Sequence, residues 1–125
     1  MHYVELVALL AVVQYLFFSV LVGRARGRYG IKAPAVSGHE GFERAYRVQM
    51  NTLELMVALL PGLFVAARFW PQTWVAGIGA VYLLGRFVYW RAYVSNPSSR
   101  ALGFVLSMLP VLALLLMGLA GAVLR

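Results

Sequence analysis

The feature that most constrains this chain is the stretch 101–124, which contains no charged residue. About 20 apolar residues are enough for an α-helix to cross the hydrocarbon core of a bilayer. Three further apolar-rich stretches cover residues 3–22, about 42–70 and 72–94. Their lengths predict an all-α, integral membrane four-helix bundle that forms a single domain over residues 1–125.

The composition excludes a soluble or a disordered chain. Hydrophobic residues make up 62% of the sequence and charged residues only 12%, whereas average soluble domains have about 45–50% and about 25%. The formal net charge is +7. Because the basic residues flank apolar stretches, they indicate cytoplasmic loops and anionic lipid headgroups as partners, and no nucleic acid.

The residue types that are missing narrow the chemistry. The chain has no cysteine and no aspartate, and its two histidines, His2 and His39, are far apart. We therefore expect no disulfide, no metal site and no Ser-His-Asp or cysteine nucleophile. Any reactive group must be supplied by a ligand.

The breaks between the apolar stretches are defined by glycine and proline. The stretch 3–22 is interpreted as a retained span and not as a cleaved signal peptide, since no basic residue precedes it and it ends at Arg24. Six glycines and prolines in the basic segment 23–44 predict a long loop. Pro61 and Pro110 predict kinks within the second and fourth helices.

A compact turn separates the third and fourth stretches. Asn96 is typical of a helix N-cap, and Pro97 is typical of the first position of a helix.

The distribution of arginine predicts the orientation. Basic residues lie mostly on one side of the predicted bundle, which is then the cytoplasmic side, so both termini face away from the cytoplasm. Ten of the eleven basic residues are arginine, which suggests a GC-rich genome and a bacterial inner membrane. The residues on the basic side are Arg24, Arg26, Arg28, Lys32, Arg44, Arg47, Arg91 and Arg100, and those on the other side are Arg68 and Arg125.

Polar side chains recur at helical spacing inside the second stretch. Arg47, Asn51 and Glu54 are separated by four and three residues and therefore share one helical face. Arginines that reach toward the interface, together with a self-satisfying Arg47–Glu54 bridge, offer a purely structural interpretation. That interpretation does not explain an amide and a carboxylate one and two turns deeper, so a site facing the bundle interior is favoured.

The third stretch carries a matching column. Arg86, Tyr89 and Tyr93 are spaced by three and four residues, with Tyr82 one turn earlier. Guanidiniums bind carboxylates and a glutamate binds an amino group, so these side chains suit an anionic, peptide-like ligand. Arg100, in the first turn of the fourth helix, would lower the pKa of a thiol placed beside it.

Several sequence motifs resemble one known family. The run FERAYRVQMNTLE, residues 42–54, closely resembles the helix-two signature E-R-x-[YF]-R-x-Q-x-N-x-x-E of the membrane-associated proteins in eicosanoid and glutathione metabolism (MAPEG). KAPAVSG before it, and residues 82–93 and 98–104 after it, resemble the same family in the same order. The branches containing microsomal glutathione S-transferase 2 and leukotriene C4 synthase are the most similar.

This resemblance implies a homotrimer that binds glutathione between subunits on the cytoplasmic side. It implies glutathione as co-substrate, a hydrophobic electrophile as second substrate, and stabilisation of the glutathione thiolate by Arg100. The implied glutathione-binding residues are Arg26, Arg47, Gln49, Asn51, Glu54, Tyr89 and Tyr93.

Two departures from the family pattern concern the substrate. Leu55 stands where the leukotriene synthase branch has a tyrosine, and Gly27 stands where it has a second arginine, although Arg24 and Arg28 are near. The favoured function is therefore a general glutathione transferase, or a peroxide-reducing enzyme, and not a leukotriene synthase. Detoxification is the expected role.

Two other hypotheses remain open. One is a non-catalytic lipid-binding scaffold of the same family, which has no need for a glutathione site. The other is a small four-helix exporter, which needs a deep carboxylate. Glu5 lies at a helix end and Glu54 has arginine neighbours, so neither fits that role well.

Overall fold

The computed structural model describes residues 1–125, which form four long α-helices and one short 3-10 helix. There is no strand, so the prediction of an all-α chain with four helices is confirmed. The helices are α1 (Tyr3–Tyr29), α2 (Glu40–Phe69), α3 (Gln72–Ser95) and α4 (Ala101–Leu124), with the 3-10 helix at Pro97–Ser99.

The first helix is longer than its apolar stretch. The segment 23–44 is predicted to be a long loop, but α1 continues to Tyr29 and α2 begins at Glu40, close to its predicted start, so the loop covers only residues 30–39. Arginine and alanine are good helix formers, and the two glycines within this part cost only about 1 kcal/mol each. α1 ends at Gly30, whose φ of 69° is left-handed and favours glycine.

The other boundaries lie close to those predicted. The Asn96 side chain accepts a hydrogen bond from the Ser98 backbone N–H at 3.2 Å, and Pro97 follows it, which confirms the cap. This cap begins the 3-10 helix, while Arg100 occupies the N-cap position of α4. α2 and α4 run through their prolines without interruption.

α2 and α3 lie between the two outer helices, because α1 and α4 each pack against both of them. Residues of all four helices form the main apolar core, including Leu59, Leu63 and Leu114. α3 and α4 approach closely at two glycines. A Cβ added at Gly85 would lie 2.6 Å from the α4 backbone, and one at Gly103 would collide with the backbone of Tyr89.

The surface indicates a membrane protein. α1, α2 and α4 are long and apolar enough to cross a bilayer, whereas α3, which contains Arg86 and Arg91, is not among these helices. Only 30 of 125 residues are buried, and large apolar side chains on every helix are exposed. A surface of this kind requires lipid or further subunits to cover it.

Candidate functional site

The basic residues of the chain are concentrated at one end of the bundle, where α1 and α3 end and α2 and α4 begin. We call this the arginine-rich end. Most of the predicted site residues lie there, on α2, α3 and the start of α4.

The predicted face of α2 carries unpaired charges. The side chains of Arg47 and Glu54 are exposed and form no salt bridge with each other or with any other residue. The Arg47–Glu54 salt bridge, which was part of the purely structural interpretation of these residues, is therefore not formed. Both charges are available to a ligand.

Asn51, between these two charges, is held by a buried arginine of α3. The Arg86 Nη1 donates a hydrogen bond to the Asn51 Oδ1 at 2.8 Å. Arg86 is fully buried, and its guanidinium carbon lies 4.3 Å from the centre of the Tyr89 ring. Since the Asn51 carbonyl is engaged, its amide N–H groups are left to donate to a ligand.

The tyrosine column of α3 lies against this face. Tyr89 is buried and packs with Phe18 and Val48, while Tyr93 is half-buried and stacks on Tyr89 with ring centres 5.5 Å apart. The α2 stripe and the α3 column therefore meet at the hydrogen bond between Arg86 and Asn51 and at a cleft lined by both Arg47 and Tyr93.

Arg100 lies at the start of α4, one residue before the first turn in which it was predicted. Its side chain is exposed, and its Nη1 donates to the Pro97 carbonyl at 3.2 Å. It lines a shallow depression of about 650 Å³ with Ser98, Ala101 and Phe104. The free backbone N–H groups of the first turn of α4 add to its positive charge.

A cleft of about 370 Å³ opens between the start of α2 and the end of α3. We call it the mixed cleft, because acidic and basic side chains line it together. Arg44 is paired with Glu40 there, and the Glu43 carboxylate accepts a hydrogen bond from the Gly38 N–H at 3.0 Å. Its lining includes Glu40, Glu43, Arg44, Tyr46, Arg47 and Tyr93.

Two of the predicted residues, Arg26 and Gln49, lie elsewhere in the chain. The Gln49 Nε2 donates to the Ser19 Oγ at 2.9 Å, so this side chain faces α1. The Arg26 Nη1 donates to the Ala35 carbonyl at 2.7 Å, and its guanidinium lies over the Phe42 ring. Positions 47 and 49 are about 200° apart around a helix, so a single chain does not bring both side chains to one ligand.

The structure therefore divides the predicted residues into two groups. One group lies on or near the α2–α3 face, and the other lies on the α1–α2 side. The first group is Arg47, Asn51, Glu54, Tyr89, Tyr93 and Arg100, and the second is Arg26 and Gln49. Sequence reasoning had placed Arg86 in the α3 column but had missed its role in orienting Asn51.

Four helices with exposed apolar surfaces, and a cluster of charged and phenolic side chains at one end, define a helical membrane protein with a candidate site at that end. The chain belongs to the MAPEG family, whose sequence model matches residues 4–120. This match confirms the resemblance found in the sequence motifs.

The chain is similar to proteins from bacteria and mammals. It is 45% identical over 104 residues to an uncharacterized protein of Synechocystis sp., covering 83% of this chain and 76% of that protein. It is 37% identical over 116 residues to microsomal glutathione S-transferase 2 of Homo sapiens, covering 92% and 78%. It is 35% identical over 94 residues to leukotriene C4 synthase of Bos taurus, covering 75% and 63%.

Proposed function

We propose that this protein is a membrane-embedded glutathione transferase that joins glutathione to lipophilic electrophiles. The observation that carries the proposal is the α2 face, where an unpaired guanidinium and an unpaired carboxylate flank an asparagine oriented by Arg86. Glutathione offers the complementary groups, since it has two carboxylates, one ammonium and two amides. The similarity to microsomal glutathione S-transferase 2 supports the same ligand.

The spacing of the two charges suits a tripeptide. Arg47 and Glu54 are seven residues apart, which is about 10 Å along a helix. Three extended residues span about the same length. Arg47 binds a carboxylate of glutathione and Glu54 binds its ammonium, while Asn51, Tyr89 and Tyr93 donate to the oxygens between them.

Arg100 supplies the chemistry in this proposal. Its guanidinium and the N-terminus of α4 lower the pKa of the glutathione thiol and hold it as the thiolate. The thiolate sulfur attacks an electrophilic carbon, and a sulfur–carbon bond forms while the leaving group departs with its electron pair. With a lipid hydroperoxide, two glutathiones are oxidised to the disulfide, and the peroxide is reduced to an alcohol and water.

A homotrimer explains how Arg26 and Gln49 can contribute to the glutathione site although they lie away from the α2–α3 face of their own subunit. Arg26 and Gln49 of one subunit meet the α2–α3 face of the next, which completes the glutathione site. The large exposed apolar surface supports such contacts. All four helices cross the membrane in this arrangement. α3 can do so although it contains Arg86, because this side chain is fully buried inside the bundle and is not exposed to lipid.

The arginine distribution supports a site on the cytoplasmic side of the membrane, because positively charged residues collect on that side. The arginine-rich composition and the similarity to a Synechocystis sp. protein support a bacterial inner membrane.

The proposal is tested by the ultraviolet absorbance of the thiolate when purified protein in detergent is mixed with glutathione. The wild-type protein gives this signal, and Arg100→Ala loses it while it still binds glutathione in calorimetry. Arg125→Ala, at the opposite end, keeps both. A homogeneous wild-type protein that binds glutathione without forming the thiolate contradicts the role of Arg100.

The competing functions give different results. A lipid-binding scaffold shows no glutathione binding in calorimetry, and an exporter shows charge-coupled transport in proteoliposomes. Turnover with a panel of electrophiles and lipid hydroperoxides then separates conjugation from peroxide reduction.

A further inference from the structure

A second cleft opens at the arginine-rich end, on the side of α1 and α3. We call it the cationic cleft. It has a volume of about 510 Å³ and is bordered by Arg24 and Arg28 of α1 and by Arg91 of α3. Gly41 and Ala45 of α2 also line it.

No acidic residue balances the arginines of the cationic cleft, since none of the three forms a salt bridge. The four carboxylates of the chain are all elsewhere. Glu40 and Glu43 line the mixed cleft, Glu54 lies deeper on α2, and Glu5 pairs with His2 near the other end of α1. Three uncompensated guanidiniums around one space favour an anion.

Two of these guanidiniums rest on aromatic rings. The guanidinium carbon of Arg91 lies 5.3 Å from the centre of the Trp90 ring, and that of Arg28 lies 5.4 Å from the Tyr29 ring. Tyr29 is itself stacked on His39, with ring centres 3.8 Å apart. These contacts restrict the arginine side chains and so reduce the entropy lost when they bind a ligand.

The cationic cleft continues into an apolar surface toward the centre of the bundle. The Trp90 ring, which lines the cleft, lies 5.6 Å from the ring of Phe17 and 6.5 Å from that of Phe87. Phe17 and Phe87 are 39% and 42% exposed. They lie one to two helical turns from Arg24 and Arg91, on the side where a bilayer has its acyl chains.

We propose that this face of α1 and α3 is a binding site for an anionic phospholipid. The phosphate is bound by Arg24, Arg28 and Arg91, and an acyl chain packs on Phe17 and Phe87. A free phosphate would use the arginines but would leave the adjoining aromatic surface uncovered, so the continuity of the two surfaces favours the lipid. The site is separate from the glutathione site and does not depend on it.

The test is native mass spectrometry of the purified protein with dioleoyl phosphatidylglycerol or dioleoyl phosphatidylcholine. We expect the wild-type protein to retain phosphatidylglycerol in preference to phosphatidylcholine. Arg24→Gln/Arg91→Gln should lower the retention of phosphatidylglycerol by about 30-fold. The matched variant Arg68→Gln/Arg125→Gln removes the same charge at the opposite end and should retain the lipid as the wild type does.

Two further experiments show whether the bound phosphate group belongs to a lipid or to a soluble molecule. Phe17→Ala/Phe87→Ala should reduce retention of phosphatidylglycerol several-fold while the arginines are unchanged. Inorganic phosphate and glycerol phosphate, at millimolar concentration, should not displace the lipid. Displacement by either one would show that the cleft binds a soluble phosphate. Full retention by the phenylalanine variant would show that no acyl chain packs on this surface. Either result would overturn the lipid proposal.

Other outcomes also overturn it. Equal loss in the two arginine double variants would mean that retention depends on overall charge and not on this cleft. A change of oligomeric size in Arg24→Gln/Arg91→Gln would mean that the face is a subunit contact. If this variant does not fold, Arg24→Lys/Arg91→Lys keeps the charge without the bidentate geometry and should bind about threefold more weakly; unchanged binding contradicts the guanidinium site.

Discussion

The mixed cleft and the cationic cleft lie at the same end of the bundle, and both are lined by arginines, but they differ in their acids. In the mixed cleft, Glu40 and Glu43 lie beside Arg44 and Arg47. The cationic cleft has no carboxylate at all. The net charge of +7 therefore does not describe either site, because acidic residues line only one of the two clefts. The position of two glutamates separates a surface suited to a zwitterion from one suited to an anion.

The first turns of α2 produce this difference. Glu40, Glu43 and Arg47 share one face of the helix, while Gly41 and Ala45 share another. Acidic residues at the start of a helix also interact favourably with its dipole. The start of α2 therefore presents charged residues to the mixed cleft and only small, uncharged residues to the cationic cleft.

The largest expected effect is on glutathione affinity, and it is tested by substituting one exposed arginine in each cleft. Arg47→Ala should weaken glutathione binding by about 10- to 100-fold, because a hydrogen bond to a charged group contributes about 1.5–3 kcal/mol. Arg24→Ala removes the same side chain from the cationic cleft and should leave glutathione binding unchanged. Calorimetry measures both. Equal losses would show that the two clefts are not functionally separate.

A smaller effect on glutathione affinity is expected from Arg86→Leu. The substitution frees the Asn51 carbonyl and the orientation of its amide, so glutathione affinity should fall about fivefold to tenfold, which is the value of one hydrogen bond. Thermal stability in detergent should also fall. In the double variant with Asn51→Ala the losses in affinity should not add, since both substitutions remove the same contact. Additive losses would contradict the role of Arg86 in positioning Asn51.

The parts of the site that the sequence predicted depend on local periodicity. Arg47, Asn51 and Glu54 share a face because the helix has 3.6 residues per turn, and the same holds for the column of Arg86 and Tyr89. The turn at Asn96 is equally local, since the cap and the proline act within three residues. The helical state of the four apolar stretches was likewise predictable, from their lengths.

The parts that the sequence did not predict depend on tertiary contacts or on small energy differences. The bond between Asn51 and Arg86 joins residues 35 positions apart, and nothing in their spacing along the chain specifies it. The packing of α1 on α2 decides that Gln49 meets Ser19. The extension of α1 to Tyr29 depends on helix propensities that differ by about 1 kcal/mol or less per residue.

A still smaller effect, on the retention of phosphatidylglycerol, is expected from a substitution at Gly41. A Cβ at Gly41 would lie 2.5 Å from the Tyr29 hydroxyl, so Gly41→Ala should displace this ring from the cationic cleft. We expect phosphatidylglycerol retention to fall about threefold, at a cost in stability of about 1 kcal/mol or somewhat more. Glutathione binding should not change. Ala45→Gly, which enlarges the same cleft, serves as the control, and a loss of glutathione affinity in Gly41→Ala would contradict the separation.

The smallest effect on glutathione affinity is expected from removing the carboxylate of Glu43 from the mixed cleft. Glu43→Gln leaves the shape of the cleft nearly unchanged but removes a negative charge from the cleft that Arg47 also lines, where we propose that Arg47 binds a carboxylate of glutathione. Glutathione affinity should therefore rise about twofold at low ionic strength, and the gain should disappear as salt screens the exposed charges. Calorimetry at two salt concentrations measures it, with Glu5→Gln at the other end as control. A fall in affinity would mean that Glu43 itself binds the ammonium of glutathione, and the role proposed for Glu54 would then be wrong.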